Sequence, residues 1–290
     1  MSTLLLLSQE LPWLYFILIA LFSLLIGSFL NVVIYRLPIM MERQWQSEYQ
    51  DYFHPEQEAP SLPRFNLMLP RSACPHCGHA ITALENIPII SWLALRGRCR
   101  GCQAPISPRY PMVEATTALL SLLVAWQLPA GLPLLAGLLI TWMLIALTLI
   151  DLDKMLLPDE LTLPLLWVGL LINLGGTLAS LEDAVIGAVA GYLLLWSLYW
   201  AFKLLTGKEG MGYGDFKLLA ALGACLGWQK LPLILMLSAL LGALVGILLI
   251  VLRRHEQGKP IPFGPYLALA GWVALLWGER INHWYLSTLL

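Results

Sequence analysis

The chain has 290 residues, of which 59% are hydrophobic and 12% charged, with a mean hydropathy of +0.74 and a formal net charge of -1. This composition excludes a water-soluble globule and fits a polytopic membrane protein; no nucleic-acid partner is expected. The placement of the basic residues says more than the net charge, because none precedes Arg36 and eight lie from Arg36 to Arg109.

Residues 11–35 form a first apolar segment, long enough to cross a hydrocarbon core of ~30 Å as a helix. Glu10 precedes it and Arg36 follows, the reverse of the charge order of a cleaved signal peptide. The positive-inside rule then predicts an N-terminus outside and residues 36–110 in the cytoplasm. Within that region, Trp45, Tyr49, Tyr52 and Phe53 recur at helical spacing among acids, which suits either a short amphipathic helix over 41–55 or a solvated connector. Pro55 to Pro70 reads as an irregular, proline-rich linker.

Two Cys-x-x-Cys knuckles follow, Cys74-Pro75-His76-Cys77 and Cys99-Arg100-Gly101-Cys102. Four thiolates at this spacing suit tetrahedral zinc in a closed, structural site, with His76 and His79 as alternative ligands. Cys-Pro-His-Cys is also a tetrapeptide of thiol-disulfide oxidoreductases. The second knuckle, the lack of a thioredoxin-like strand and helix pattern, and the reducing compartment weigh against redox chemistry.

Beyond Tyr110, apolar runs recur at about 112–128, 132–151, 162–178, 184–205, 216–229, 232–252 and 262–279. The prediction is an all-α membrane protein of eight spans, divided into a first transmembrane helix (1–35), a cytoplasmic zinc-ribbon-like domain (36–110) and a membrane domain (111–290). Alternating the spans puts Lys154, Lys203, Lys208, Arg253, Arg254 and Lys259 inside and Glu182, Asp183 and Glu279 outside; Lys230 and Arg280 go against the rule. Gly187 with Gly191, Gly223 with Gly227, and Gly242 with Gly246 read as close-packing positions between helices. Cys225, inside an apolar run, reads as core packing.

Two acids stand out at span ends. Asp151 closes the run ending Thr148-Leu149-Ile150-Asp151, and Asp215 opens another after Gly210-Met211-Gly212-Tyr213-Gly214. An ionisable residue at a membrane boundary is either a solvated end residue or a functional group. Three glycines beside Asp215 each cost a helix ~1 kcal/mol, so they imply backbone that must bend or admit a substrate closely. Alternation puts both acids on the cytoplasmic face. Two neighbouring carboxylates share one proton, which suits hydrolysis of a peptide bond by an activated water. Asp153, Asp159 and Glu160 are the alternatives to Asp151, which adjoins the apolar helix. A nucleotide loop is disfavoured because no Gly-Lys-Ser/Thr ending follows. A cation or proton carrier using the same two acids is the competing class.

Gly212-Tyr213-Gly214-Asp215 is similar to the GxGD signature of intramembrane-type aspartic proteases, and the chain resembles the type IV prepilin peptidases, also called leader peptidase and N-methyltransferase. Gly27 to Pro38, the paired knuckles, Tyr110-Pro111-Met112-Val113-Glu114 and Asp151 to Thr162 carry the resemblance. It implies a bacterial inner-membrane enzyme with a periplasmic N-terminus that cuts the leader from type IV prepilins or type II secretion pseudopilins at the cytoplasmic face. The enzyme then N-methylates the new terminus with S-adenosylmethionine. It implies Asp151 and Asp215 as catalytic acids, Gly212 and Gly214 in the catalytic loop, and Cys74, Cys77, Cys99 and Cys102 as zinc ligands. It associates Gly97 with methyl transfer, together with Arg98, which stands where relatives often have lysine; Glu114 either serves that activity too or caps the second helix. The early acids Glu42, Glu48, Asp51, Glu56 and Glu58 suggest attraction of a basic leader or a solvated surface.

Overall fold

The computed structural model describes residues 2–54, 63–252 and 261–289. Glu56, Glu58, Arg253, Arg254, Lys259 and the 55–62 part of the expected linker lie outside them. Among the described residues the fold is helical, with two isolated β-bridges. In chain order the helices are α1 (Ser2–Glu10), α2 (Pro12–Phe53), α3 (Ile90–Ala94), α4 (Arg109–Gln127), α5 (Leu132–Lys154), α6 (Asp159–Ile172), α7 (Leu181–Thr206), α8 (Tyr213–Leu226), α9 (Leu231–Val251) and α10 (Gly264–Leu289).

Each predicted apolar run is a helix. Four stretches combine the length and hydropathy of a membrane crossing: Pro12–Phe53, Leu132–Lys154, Leu181–Thr206 and Trp228–Val251, the last being α9 with the 3-10 turn before it. The protein is therefore an all-helical membrane protein. Helices α6 and α8 have 14 residues each, or about 21 Å of rise.

The first span and the amphipathic segment were expected as separate pieces, and they are one helix of 42 residues that passes through Pro38. Proline removes one N–H and displaces the carbonyl of the residue four positions earlier. Apolar burial continues across that gap at Ile34, Leu37, Pro38 and Met41, so the two pieces hold together.

The structure forms two compact units, residues 12–123 and residues 124–290 with the first residues up to Leu11. In the larger unit the core is α8, whose residues Leu218–Leu226 are all buried. Helices α6, α7 and α10 pack around it. Its contact with α7 is backbone to backbone: a side chain on Gly187 would collide with the carbonyl of Gly223, and the reverse holds too. Gly191 meets the Leu219 carbonyl, where a Cβ would stand 2.6 Å from oxygen. Small residues permit this approach where lipid supplies no hydrophobic drive. Gly227 plays a different part from the one expected, since its φ of +84° ends α8. Gly242 abuts the ring of Tyr266.

Asn173 fixes the lower end of α8. Its side-chain amide donates to the carbonyls of Ala224 and Cys225 at 3.0 and 2.9 Å, and its oxygen accepts from the N–H groups of Leu178 and Ala179. The last carbonyls of a helix have no partner within it, so a buried end needs such a cap. Cys225 is wholly buried against Gly169 and the Leu165 carbonyl, as core packing requires. Lys230, at odds with the charge rule, is buried and paired with Glu279 at 3.1 Å.

Candidate active site

In the larger unit, α5 ends one turn beyond Asp151, whose carbonyl accepts the N–H of Met155 in the left-handed conformation. The chain then turns through Leu157 into α6, where Pro158 provides the carbonyl that starts the helix. On the other side, Gly207 stops α7, residues 208–212 form the loop, and Asp215 occupies the first turn of α8. The aromatic rings of Tyr199, Tyr213 and Phe216 stand 5.1–5.7 Å apart and pin this loop to α7. Lys203 reinforces it, donating to Tyr199 and to Glu209 at 3.2 and 2.8 Å.

These turns bring Asp151 and Asp215 together. Both side chains are buried, and the charge of Asp151 acts directly on Asp215. Each carboxylate rests on a glycine N–H. Gly264, the first residue of α10, donates to Oδ2 of Asp151 at 3.0 Å, and Gly212 donates to Oδ2 of Asp215 at 3.3 Å. Each acid thus accepts from an N–H at a helix N-terminus, that of α10 for Asp151 and that of α8 for Asp215, whose partial positive charge offsets part of the cost of burying an anion.

Leu157 sets the spacing. A Cβ on Gly214 would lie 2.8 Å from Cβ of Leu157, and one on Gly264 would lie 3.0 Å from its Cδ2. The two glycines therefore allow α8 and α10 to close on the same leucine. Of the alternative acids, Asp159 is engaged elsewhere, holding Lys217 Nζ with both oxygens at 2.7 Å, and Asp153 and Glu160 are exposed.

Sequence reasoning missed Gly264, Leu157 and Asn173. Gly264-Pro265 carried a readable signal, a helix start with proline just inside it. The partnership with Asp151 did not, because it joins residues 113 positions apart.

In the smaller unit the two knuckles fold alike. Cys74 N–H donates to the His79 carbonyl and Cys99 N–H to the Ala104 carbonyl, both at 2.9 Å. Gly78 and Gln103 each follow the second cysteine with φ of 71° and 61°. The sulfurs of Cys74, Cys77, Cys99 and Cys102 all lie within 4.8 Å of one another, with Cys74 to Cys102 at 3.8 Å and Cys77 to Cys99 at 3.9 Å. A tetrahedral zinc with Zn–S of ~2.3 Å places sulfurs about 3.8 Å apart. The cluster is therefore arranged to hold a metal. Backbone N–H groups of Cys77 and His76 directed at Cys74 lower its thiol pKa, while desolvation and the three neighbouring thiols raise that of Cys77, so the four sulfurs titrate as one cluster. His79 is not among these ligands and pairs with Glu85 at 3.2 Å.

Gly97, Arg98 and Glu114 belong to this unit. Gly97 has φ of +67° and lies beneath Trp92, with a Cβ there 2.9 Å from the indole. Arg98 is exposed and bridges to Pro105. Glu114 is buried and accepts the N–H of Ile89 at 2.7 Å.

Residues 21–128 match the family described as the bacterial peptidase A24 N-terminal domain, and residues 138–247 match the type IV leader peptidase family. A protein of Aeromonas hydrophila named prepilin leader peptidase/N-methyltransferase is 71% identical over 290 residues, covering the whole of both chains. Proteins of the same name in Pseudomonas aeruginosa and Legionella pneumophila are 59% and 46% identical, over 92% and 95% of this chain and 92% and 96% of theirs. No solved structure matches the chain.

Proposed function

The chain belongs to the type IV leader peptidase family, and from that premise we propose that Asp151 and Asp215 cut the leader from prepilins. The enzyme is a prepilin leader peptidase and N-methyltransferase that works on prepilins in a bilayer. The observation that carries the assignment of the acids is two buried carboxylates from different helices, within each other's field and each held by a glycine N–H.

Two carboxylates so placed share one proton. The ionised one takes a proton from a water as that water attacks the scissile carbonyl carbon. The protonated one donates to the carbonyl oxygen. The tetrahedral species collapses as the amine leaves with a proton returned by the first carboxyl, and the second recovers its own. Gly212 keeps the loop slim beside Asp215, leaving room for the extended substrate strand, while Gly214 admits Leu157.

Methylation follows on the new N-terminus. S-adenosylmethionine, when bound, supplies an electrophilic methyl carbon. The new terminal amine would be the acceptor of that methyl and would lose one proton to solvent. Gly97, Arg98 and Glu114 serve this half of the reaction.

Zinc is the metal for the four cysteines. With all four positions taken by sulfur it organises the knuckles and leaves no place for a reacting water. The eight apolar helices alternate across the bacterial inner membrane with a periplasmic N-terminus. This places the dyad and residues 36–110 on the cytoplasmic side, ahead of a membrane domain from 111 to 290. Type II secretion pseudopilins, which share the basic leader and apolar stem, are substrates too.

The test is mass spectrometry of a purified prepilin incubated in liposomes with the enzyme, with and without S-adenosylmethionine. Leader loss that disappears in both Asp151→Asn and Asp215→Asn supports the dyad. A prepilin cut as fast by either variant would remove it.

A further inference from the structure

Asp151 and Asp215 are both buried, so a substrate reaches them only when a neighbouring part of the larger unit moves. On the aqueous side that part is the largely exposed loop 208–212. A prepilin held in the bilayer by its apolar stem has also to pass between helices.

Most of the helices at the site are fastened to one another. Helix α7 meets α8 backbone to backbone at Gly187, Gly191 and Gly223. Helix α6 is tied to α8 by Asp159 on Lys217, and Asn173 just beyond it holds the carbonyls of Ala224 and Cys225. Helix α5 is tied to α10 by Gly264 on Asp151 and by Trp272 Nε1, which donates to Thr141 Oγ1 at 3.1 Å.

Helix α9 is the exception, and its two halves differ. The first half is anchored. In the turn before it, Trp228 Nε1 and Gln229 Nε2 donate to Asp183 Oδ1 at 2.8 and 2.7 Å. Lys230 reaches Glu279 with its stem laid along Gly278, where a Cβ would stand 3.2 Å from the lysine Cδ. Leu231, Leu233, Ile234 and Ser238 are buried behind this turn. After Ser238 no residue of α9 is buried, and residues 239–251 carry no polar side chain to bond with a neighbour.

This loose half lies level with the first acid. A Cβ on Gly242 would stand 3.4 Å from the Tyr266 ring and 3.9 Å from the Phe263 ring, and one on Gly246 would stand 3.8 Å from Cδ1 of Ile261. Ile261, Phe263 and Tyr266 flank Gly264, whose N–H holds Asp151. Ordinary van der Waals contact is thus what keeps this half of α9 against the turn that carries Asp151. Lipid tails are as apolar as leucine, so exchanging such contacts for lipid has little hydrophobic cost.

We propose that α9 is a lateral gate. It pivots on its anchored first half, residues 239–251 leave Ile261, Phe263 and Tyr266, and the apolar stem of a prepilin enters from the bilayer through the opening, bringing its scissile bond beside Gly264 and the dyad. The proposal rests on the reading of Asp151 and Asp215 as the cleaving acids and adds how a membrane-held substrate reaches them. A soluble peptide has no stem to admit and comes past the exposed loop.

The test locks the gate. Gly246→Cys with Ile261→Cys in the full-length, zinc-loaded protein is joined by a short, reducible bifunctional thiol reagent. Cleavage is measured on prepilin in liposomes and on a soluble peptide that spans the scissile bond without the stem. The lock is expected to slow prepilin cleavage at least about tenfold, to leave peptide cleavage within about threefold, and to be reversed by reduction. The same reagent across Lys230→Cys and Glu279→Cys, at the anchored end, is expected to change neither rate. Prepilin cut by the locked enzyme at the unlocked rate would overturn the gate. Equal losses on both substrates would also overturn it, because the lock would then be disturbing the acids and not the entry. Asp215→Asn that still cut both substrates would sink the dyad and the gate with it, whereas a locked enzyme active on prepilin beside an inactive Asp215→Asn would sink the gate alone.

A measurement on the unaltered enzyme stands beside these. Prepilin carrying a benzophenone side chain in the first turn of its stem is irradiated with the enzyme in liposomes. Crosslinks are expected in residues 239–251 or 261–266, and crosslinks confined to residues 159–206 would overturn the gate.

Discussion

Gly264 and Asp151, 113 positions apart, are joined by a hydrogen bond of 3.0 Å from the glycine N–H to carboxylate Oδ2, at the point where α10 begins and α5 nears its end. The absent side chain matters as much as the bond, since a Cβ on residue 264 would stand 2.6 Å from that oxygen. Gly264→Ala therefore turns the carboxylate away from its partner. Misplacement of a reacting group by about 1 Å costs on the order of 100-fold in rate. The expected result is a fall of this size in kcat for leader cleavage with KM little changed, measured on purified prepilin; kcat within threefold of the parent would contradict it.

In the proposed mechanism Asp151 and Asp215 act as one unit, so their losses do not add. Each Asp→Asn variant is expected to lower single-turnover cleavage by at least about 1,000-fold, and the double variant to be no slower than the slower single one. Additive losses would mean that the two acids work in separate steps.

Metal removal separates the two units. Thiolates compete with protons for the metal, so affinity falls as pH is lowered and chelators act faster in acid. Treatment with a strong chelator, or Cys74→Ser, is expected to release one zinc per chain and to abolish methylation, leaving cleavage measurable. Metal analysis with both activity assays checks this, and full methylation by zinc-free protein would count against it.

The pair Lys217–Asp159 ties α8 to α6 beside the site, at 2.7 Å with side chains 31% and 49% exposed. Exposed pairs are screened by solvent and contribute about 0.2–1 kcal/mol. A double-mutant cycle with Lys217→Met and Asp159→Asn, read by thermal unfolding in detergent, is expected to give a coupling within that range. A coupling above about 2 kcal/mol would show that the pair is more shielded than its exposure indicates.

Asn173→Ala removes the cap from two buried carbonyls at the end of α8. Each unsatisfied buried group costs about 1–3 kcal/mol, so the variant is expected to lose roughly 2–6 kcal/mol of stability. Asn173→Asp keeps the acceptor for Leu178 and Ala179 but loses both donors, and its Tm is expected to fall as well.

What was legible in the sequence was what local pattern controls. Apolar runs of helical length became helices, and the cysteine spacings became two matching knuckles because two thiols with two residues between them can close on one centre. Asp151 and Asp215 were readable as acids at the ends of apolar runs. The continuity of α2 through Pro38 was not, because it depends on which face of that helix is buried. Gly264, Leu157 and Asn173 were invisible for a related reason. Each matters through a neighbour distant in sequence, and one chain without its contacts gives no sign of which glycine or leucine will have such a neighbour.

The shortness of α6 has an effect outside the protein. Its outward residues Leu163, Trp167 and Leu171 are exposed over a helix of 14 residues, so this flank offers lipid about 21 Å of apolar height against a bilayer interior of ~30 Å. Lipid tails meeting that flank must thin the leaflet locally, at a cost of fractions of a kcal/mol per Å. Headgroups and their water are drawn inward beside the dyad, so membrane thickness becomes a setting of hydrolysis: the same enzyme is expected to be faster in short-chain than in long-chain vesicles.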